Sequence, residues 1–372
     1  MTCIYFILEI LMLILGFLSY KISSKQARCL FALVCILWTI VFGLRAYTVG
    51  NDTPGYAEFF MGKDSFYGNI KDSNLEFGFL LITKLIKVFT NSPTAYFSIL
   101  ASWLFLLIYK IYTRCCLQRD CFWCLLIVFT ISNSFVTLMV ATRQSMAFCV
   151  LLTGLYIALN KKLEKKTKLK VGLSLIVLSV FVHKSIIFLL FLLFVAYYVH
   201  LSKKQMYVMI GASFVISIFF LQDIGNLFNR IFIFSGTLGI NDINENIMAT
   251  YASSFGDFKQ NFITLVAWAA PICLTIYLSD YEYVNSFMFR VMVISVCVFL
   301  LFNTTFLIER INTLLVLLGF TQYFPHNKKC NLKKFRPIYL LFILLILFKA
   351  GLRYEHWPKM DSSLPYYFYF EK

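Results

Sequence analysis

Long apolar runs, separated by short segments rich in lysine and arginine, fill the sequence from its first residues to near its end. A helix that crosses the hydrocarbon core of a bilayer needs about 20 apolar residues, and somewhat fewer where protein lines it. The chain is 60% hydrophobic and 14% charged, whereas soluble domains are about 45–50% apolar and about 25% charged. The pattern therefore predicts an all-α polytopic membrane protein.

The apolar runs predict about twelve transmembrane helices, which make residues 1–372 a single integral membrane domain with both termini outside. The predicted spans are 3–20, 29–44, 94–112, 121–140, 144–159, 171–182, 185–199, 206–221, 261–279, 291–307, 311–324 and 337–350.

The formal charge of +16 fits this topology better than it fits nucleic-acid binding. The short segments that the spans place in the cytosol hold 20 of the 34 lysines and arginines, and such an excess is typical of cytosolic loops. These segments are 21–28, 110–120, 160–170, 200–205, 279–290 and 325–336. We therefore expect no nucleic-acid partner, and we expect lipid to surround the chain.

Residues 171–199 are too few for two full spans and too many for one. If they formed a single span, every later loop would change sides, and the basic loop 325–336 would lie outside. We therefore predict two short helices that meet at His183-Lys184-Ser185. Their junction would lie below the outer surface, in a re-entrant or sunken pocket, because a charged pair at depth needs a hydrated cavity.

Three segments on the predicted outer side are long or polar. Segment 45–93 contains an amphipathic stretch from Phe79 to Phe89, which predicts a helix lying in the membrane interface. Segment 222–260 is predicted to be a long outer loop, and 351–372 an outer C-terminal tail. Loops of such length are commonly functional or disordered.

Several polar residues flank the predicted spans on this outer side, including four arginines: Arg45, Asp52, Glu76, Arg143, Gln144, His183, Lys184, Glu309, Arg310 and Arg353. Arginines outside depart from the usual charge bias. A guanidinium matches phosphate oxygens with two parallel hydrogen bonds, so a group of arginines indicates an anionic ligand such as a lipid-linked diphosphate. Snorkelling towards headgroups, or an internal pair such as Glu309 with Arg310, explains the same residues without a ligand.

Two further residues have both a structural and a chemical interpretation. Thr53 before Pro54 is typical of a helix start, with Thr53 as N-cap, and Asp52 could close that turn. Asp52 could equally orient an arginine or accept a proton. His183 could be a buried structural histidine, or it could bind phosphate or act as a base near neutral pH.

A set of short motifs, in this order, resembles the EpsG family of Wzy-like bacterial polysaccharide polymerases. The motifs are Gly43-x-Arg45, Val49-Gly50-x-Asp52-Thr53-x-x-Tyr56, Glu76-x-Gly78, Arg143-Gln144-x-x-Ala147, Phe181-Val182-His183-Lys184-Ser185 and Glu309-Arg310. They extend over roughly residues 40 to 310, and the tail Leu364-Pro365-Tyr366 is also similar. The family pattern has an aromatic residue directly before the histidine, where this chain has Val182.

The resemblance implies a fold related to the GT-C glycosyltransferases in the bacterial cytoplasmic membrane, with the active site outside. It implies transfer of a growing glycan from undecaprenyl diphosphate to an incoming lipid-linked repeat unit in capsule, exopolysaccharide or O-antigen synthesis. No metal or other cofactor is implied, because the diphosphate leaving group is already installed and arginines can stabilise its charge. A chain-length regulator and export machinery are possible partners.

On this hypothesis the polar residues receive roles in three groups. Asp52, His183 and Arg143 are the candidate catalytic residues, with Asp52 as base or orienter and Glu76 as a weaker candidate for that role. The diphosphate would be bound by Arg45, Arg143, Arg310, His183 and Lys184. Sugar contacts are assigned to Glu76, Gln144, Glu309 and Tyr56, with the loop 222–260 setting repeat-unit specificity.

Three other functions stay open on the sequence. A flippase or transporter of lipid-linked oligosaccharide would need a polar path to the cytosolic side, where few ionisable residues lie within spans. A membrane O-acyltransferase would need a donor site facing the cytosol. A non-catalytic partner of polysaccharide assembly would tolerate the loss of every arginine.

Overall fold

The computed structural model describes residues 4–46, 49–50, 52–62, 75–116, 119–132, 134–160, 163–237, 262–302, 306–326 and 337–344. For 131–132, 134–136, 169, 221–237, 262–264 and 306–311 this description covers the backbone alone. Throughout these residues the chain forms helices joined by turns, without a β-strand. The all-helical prediction is confirmed for this part of the chain.

The chain divides into two compact units, one within Met1–Phe188 and the other within Leu189–Ile346. The larger helices of the first unit are α1 (Ile4–Ser19), α2 (Ser24–Gly43), α3 (Thr53–Met61), α4 (Phe77–Lys87), α5 (Pro93–Cys115), α6 (Cys121–Ser132), α7 (Ser134–Val140), α8 (Thr142–Ala158) and α10 (Leu173–Val182), the last preceded by a short α9 (Lys165–Thr167). The helix α11 (Ile186–Tyr198) contains the boundary between the units.

Two helices, α2 and α5, are long and apolar enough to cross a bilayer by length and composition, and several shorter apolar helices accompany them. They pack against each other around Trp38, which is fully buried and lies 4.8 Å from the ring of Phe129. Together with this apolar core, many large apolar side chains face outward, among them Phe191 and Phe219. The chain is a membrane protein, and its count of spans stays a prediction.

The predicted junction between two short helices at residues 183–185 is confirmed. The helix α10 ends at Val182, His183 has an extended backbone, and α11 begins at Ile186. The amide of His183 still donates to the carbonyl of Ser179, and the amide of Ile186 donates to the carbonyl of His183. The helix therefore breaks at His183 while these backbone donors remain satisfied.

A π-helical turn, Lys168–Gly172, precedes α10 and joins it to the short helix α9. Gly172 lies against α8, where a Cβ on Gly154 would stand 2.8 Å from the carbonyl oxygen of Gly172. The absence of side chains at both positions lets the two backbones touch. This close approach fixes α10 against α8, which carries the next residues of interest.

One predicted boundary differs from the structure. The described residues of the predicted span 121–140 are helical, in α6 and α7. The helix α12 (Lys203–Thr237) continues well past residue 221, so residues 222–237 of the predicted outer loop are helical. Hydropathy measures compatibility with lipid and not helix formation, and apolar residues recur at helical spacing through this polar stretch. Residues 238–260 lie outside the described part, as does the tail 351–372.

The second unit continues with α13 (Phe262–Leu278), α14 (Tyr281–Val284), α15 (Phe287–Phe302), α16 (Phe306–Gly319) and a 3-10 turn, Phe320–Gln322. Arg290 is buried here and donates to the backbone carbonyls of Ala196 and Tyr197 at the end of α11. The guanidinium thereby caps carbonyls that the helix itself leaves unbonded. This arginine of the predicted cytosolic segment 279–290 has a structural role.

Candidate functional site

The carboxylate of Glu76 joins three separate elements of the first unit. Its Oε2 atom lies 3.1 Å from Nη1 of Arg143, at the start of α8. Its Oε1 atom lies 3.0 Å from Nδ1 of His183 and accepts from the backbone amide of Lys184 at 3.4 Å, both in the turn between α10 and α11. Glu76 precedes α4 and makes no side-chain bond to its own helix start. The carboxylate of Glu76 therefore binds residues distant in the sequence and does not cap its own helix.

The short motif Glu76-x-Gly78 has a steric explanation. A Cβ on Gly78 would lie 2.8 Å from the carbonyl carbon of Phe181 and 2.9 Å from the amide nitrogen of Val182. Real Cβ atoms essentially never approach backbone atoms so closely, so a glycine is required for α4 to rest directly on the end of α10. That contact brings the side chain of Glu76 within reach of His183.

Arg143 is held on two edges of its guanidinium. Its Nε–H donates to the hydroxyl of Tyr56 at 2.8 Å, and its Nη1–H donates to Glu76. Among the described residues none receives a hydrogen bond from Nη2 of Arg143. The Arg143 side chain is 32% exposed, compared with 9% for Glu76. The guanidinium of Arg143 is therefore held through Nε and Nη1, and its edge with Nη2 faces outward.

Tyr56 is supported in turn by aromatic packing. Its ring stands edge-on to Phe79 at 5.9 Å between centroids, and Tyr56 is 6% exposed. Phe79 is fully buried on α4. The helices α3 and α4 therefore set the position of the hydroxyl that receives the Arg143 hydrogen bond.

The ionisation state of Glu76 determines which atom carries the hydrogen between Glu76 and His183. Burial by itself raises the pKa of this carboxyl, but the hydrogen bond from His183 and the charge of Arg143 outweigh it, and the pKa falls from 4.5 to about 2. An ionised carboxylate can only accept hydrogen bonds. The contact with His183 therefore requires a hydrogen on Nδ1, and in the neutral ring the lone pair lies on Nε2.

Arg45 is placed differently from Arg143. It is 4% exposed, its guanidinium lies 4.5 Å from the centre of the Phe97 ring, and Nη2 donates to the carbonyl of Met139 at 2.8 Å. Nη1 donates to the carbonyl of Phe42. Arg45 thus ties the end of α2 to α7, just before the residues that carry Arg143. Its predicted contact with a diphosphate stays a prediction.

The stretch around Asp52 forms a turn and a helix start. Gly50 has φ of 97°, a left-handed conformation that favours glycine, and Asp52 is the N-cap of α3 without a side-chain cap hydrogen bond. The helix begins at Thr53, one residue earlier than predicted, so Pro54 is its second residue. The shift arises because Thr53 already has a helical backbone and is fully buried.

The remaining predicted site residues fall into two groups. Gln144 is buried on α8 beside Arg143, and Lys184 is exposed at the turn that holds His183. Glu309 and Arg310 lie on α16 of the second unit, but their side chains are outside the described part, and so is Arg353. The structure therefore brings together Tyr56, Glu76, Arg143 and His183, with the backbone of Lys184.

Glu76, expected from the sequence to be a weaker candidate than Asp52, makes contacts with Arg143 and His183. The catalytic role of Asp52 stays a prediction. One feature of the sequence could have indicated Glu76: it stands two residues before Gly78, at the start of an amphipathic helix. Gly78 lets the backbone of α4 lie directly against the end of α10. A carboxylate two residues earlier therefore lies close to that contact. Among the described residues no group of three His, Cys, Asp or Glu side chains is arranged to hold a metal ion.

Comparison with known proteins gives one match that covers nearly the whole chain. A family model described as the EpsG family matches residues 28–368. This range includes Tyr56, Glu76, Arg143, His183 and Lys184. Searches of curated proteins and of solved structures return no significant match.

Proposed function

Because the chain belongs to the EpsG family, we propose that it is a Wzy-like polysaccharide polymerase, an enzyme that lengthens a lipid-linked glycan. The substrate is an oligosaccharide on undecaprenyl diphosphate, and the site faces the outer side of the bacterial cytoplasmic membrane. The protein crosses this membrane about twelve times in a GT-C-like fold, with both termini outside. A chain-length regulator and export machinery act beside it.

The observation that carries this proposal is the pairing of Arg143 and His183 on the single buried carboxylate of Glu76. The carboxylate has both oxygens occupied, whereas its two partners are partly exposed, at 32% and 23%. Polar groups with a purely structural role inside a protein normally have their donors satisfied by protein partners. Here one edge of the guanidinium remains for an anion, and the second nitrogen of the imidazole remains for a proton.

A diphosphate leaving group matches this arrangement chemically. When the bond between the anomeric carbon and the phosphate oxygen breaks, the electron pair and the developing negative charge stay on the diphosphate. A fixed guanidinium stabilises that charge more than it stabilises the substrate, and removing one such donor typically costs about 10²–10³-fold in rate. Because Tyr56 and Glu76 already orient Arg143, little reorganisation accompanies the reaction.

The interfacial helix α4 supports the same proposal by its position in the sequence and its exposed face. Phe77, Leu81 and Leu85 are exposed on it, spaced one helical turn apart, and Lys84 and Lys87 lie near its end. An apolar stripe with lysines beside it suits the boundary between headgroups and acyl chains. A helix at that depth holds Glu76, which precedes it, at the level of lipid phosphates.

Purified protein in lipid nanodiscs tests the proposal with lipid-linked repeat units extracted from polymerase-deficient cells. We expect mass spectrometry to detect products of two and more repeat units, and Arg143→Ala to slow their formation about 10²–10³-fold. Arg119→Ala removes an exposed arginine of the predicted cytosolic segment 110–120 and serves as the matched control.

The same assay separates the other functions. A flippase or a non-catalytic partner would leave the repeat units unlengthened in nanodiscs, with wild type and Arg143→Ala alike. Lengthening by wild type at an unchanged rate in Arg143→Ala would remove Arg143 from the site while leaving the polymerase assignment in place.

A further inference from the structure

Both carboxylate oxygens of Glu76 already accept hydrogen bonds. Oε2 accepts from Arg143 at 3.1 Å, and Oε1 receives both the Nδ1 hydrogen of His183 at 3.0 Å and the amide hydrogen of Lys184 at 3.4 Å. The side chain is 9% exposed. A carboxylate in this setting can orient its partners, but it is poorly placed to receive a proton from an incoming hydroxyl.

His183 is the group that Glu76 leaves available. The hydrogen on Nδ1 points at the carboxylate, so Nε2 is the basic nitrogen of the ring. The backbone of His183 is extended and donates to Ser179, and the residue begins the turn into α11. The other charged or titratable groups around it are Arg143 from α8, Tyr56 from α3 through Arg143, and Lys184 beside it. Arg143 and Tyr56 are hydrogen-bonded to each other at 2.8 Å.

Resting on the proposed polymerase function, we propose that Glu76 is the positioning residue of the reaction and that Nε2 of His183 takes the proton of the attacking hydroxyl. The acceptor oxygen forms a bond to the anomeric carbon as the bond from that carbon to the diphosphate oxygen breaks. The hydroxyl proton moves to Nε2, and the lipid diphosphate leaves with the electron pair beside Arg143. Glu76 stabilises the imidazolium that results.

The carboxylate of Glu76 thereby positions both the imidazole of His183 and the guanidinium of Arg143. Moving Glu76 would turn the imidazole and release Nη1 of Arg143 together, because both depend on the same side chain. Gly78 fixes its location by allowing α4 to rest on the backbone at Phe181. A positioned base contributes about 10²–10⁴-fold to a reaction rate, and loss of the carboxylate that sets its tautomer can remove most of this.

Chemical rescue distinguishes a base from a structural histidine. His183→Ala creates a space next to Glu76 that free imidazole can enter, with one nitrogen donating to the carboxylate and the other accepting the proton. In the nanodisc assay we expect His183→Ala to lose about 10²–10⁴-fold in rate and added imidazole to restore at least about tenfold. His200→Ala removes an exposed histidine of the predicted cytosolic segment and should show neither effect.

The role of Glu76 is tested in the same assay by combining His183→Ala with Glu76→Gln. An amide cannot set the imidazole as a carboxylate does, so we expect imidazole rescue to disappear in the double variant. Glu282→Gln, which changes an exposed carboxylate, is the control and should leave the rescue intact. His183→Gln provides a second variant that keeps a donor towards Glu76 but has no basic nitrogen, and it should be slow with or without imidazole.

The outcomes separate this inference from the proposed function. If wild type does not lengthen the lipid-linked units, the polymerase proposal fails. If wild type lengthens them and His183→Gln is as fast, Nε2 is not the base. Rescue of His183→Ala that is equally strong beside Glu76→Gln would overturn the positioning role of Glu76.

Discussion

The Nδ1 atom of His183 lies 3.0 Å from Oε1 of Glu76, although the two residues are 107 positions apart in the chain. One precedes an amphipathic helix, and the other lies between two short apolar helices. Their contact joins the residue before α4 to the turn that follows α10. The same carboxylate holds Arg143, so a single side chain organises the site.

The stability of the protein should depend on pH through Glu76. Its pKa in the folded protein is about 2, below the ordinary value of 4.5. Such a group stabilises the fold above its unfolded pKa, and this contribution is lost as the pH falls from about 4.5 through about 2. We expect the unfolding temperature in detergent to fall more steeply over this range in wild type than in Glu76→Gln.

At neutral pH the same comparison should show Glu76→Gln unfolding at the lower temperature, because Arg143 and His183 lose a charged partner. Glu282→Gln, at an exposed position, should follow the wild-type curve. Parallel curves for wild type and Glu76→Gln across the acid range would contradict the lowered pKa.

Gly78→Ala should damage the site through the backbone alone. The added Cβ would meet the carbonyl of Phe181 at 2.8 Å, so α4 must move away from α10 and carry Glu76 away from His183. We expect a loss of about 1–3 kcal/mol in the free energy of unfolding and a clear loss of polymerising activity. Denaturation in detergent and the nanodisc assay measure the two effects.

Gly211→Ala is the matched control for this substitution. A Cβ on Gly211, which lies within α12, meets no heavy atom within 4 Å. Replacing a helical glycine by alanine then favours folding by about 0.5–1 kcal/mol. Equal behaviour of the two variants would show that the close approach at Gly78 is not needed.

The hydropathy pattern predicted the helix junction at residues 183–185 because the length of a span leaves few choices. Residues 171–199 are 29 mostly apolar residues with His183-Lys184 near the middle, and the side of the basic loop 325–336 depends on how often they cross. Together these features require two short helices. Length is a local property that a sequence displays directly.

The choice between Asp52 and Glu76 depended on long-range packing. Both are carboxylates in the same predicted outer segment. Asp52 follows Gly50 by two residues, and Glu76 precedes Gly78 by two residues. What distinguishes them is that α4 rests on α10, a contact between residues about 100 positions apart. Spacing within one segment cannot specify that contact. The arginines present the same problem, because an outer arginine that binds carbonyls looks identical in sequence to one that binds phosphate.

Arg45→Lys should separate a packing role from phosphate binding. Arg45 donates to the carbonyls of Phe42 and Met139 and lies over the ring of Phe97. A lysine cannot reproduce this planar arrangement, so we expect a lower unfolding temperature, with activity falling in proportion to the folded fraction. Arg119→Lys, at an exposed site, should leave the unfolding temperature unchanged. A normal unfolding temperature with a raised KM for the lipid donor would instead assign Arg45 to diphosphate binding.

Tyr56→Phe should weaken the site without disturbing its packing. The hydroxyl accepts from Nε of Arg143 at 2.8 Å, while the ring contact with Phe79 is retained in phenylalanine. A hydrogen bond to a charged group contributes about 1.5–3 kcal/mol to stability, so we expect a modest fall in unfolding temperature. Because the guanidinium of Arg143 is then less well oriented, the rate of lengthening at low lipid donor should fall about tenfold or more. Tyr277→Phe removes a hydroxyl from a residue that is 74% exposed and should retain the wild-type rate. If both variants retain it, Glu76 alone suffices to orient the guanidinium of Arg143.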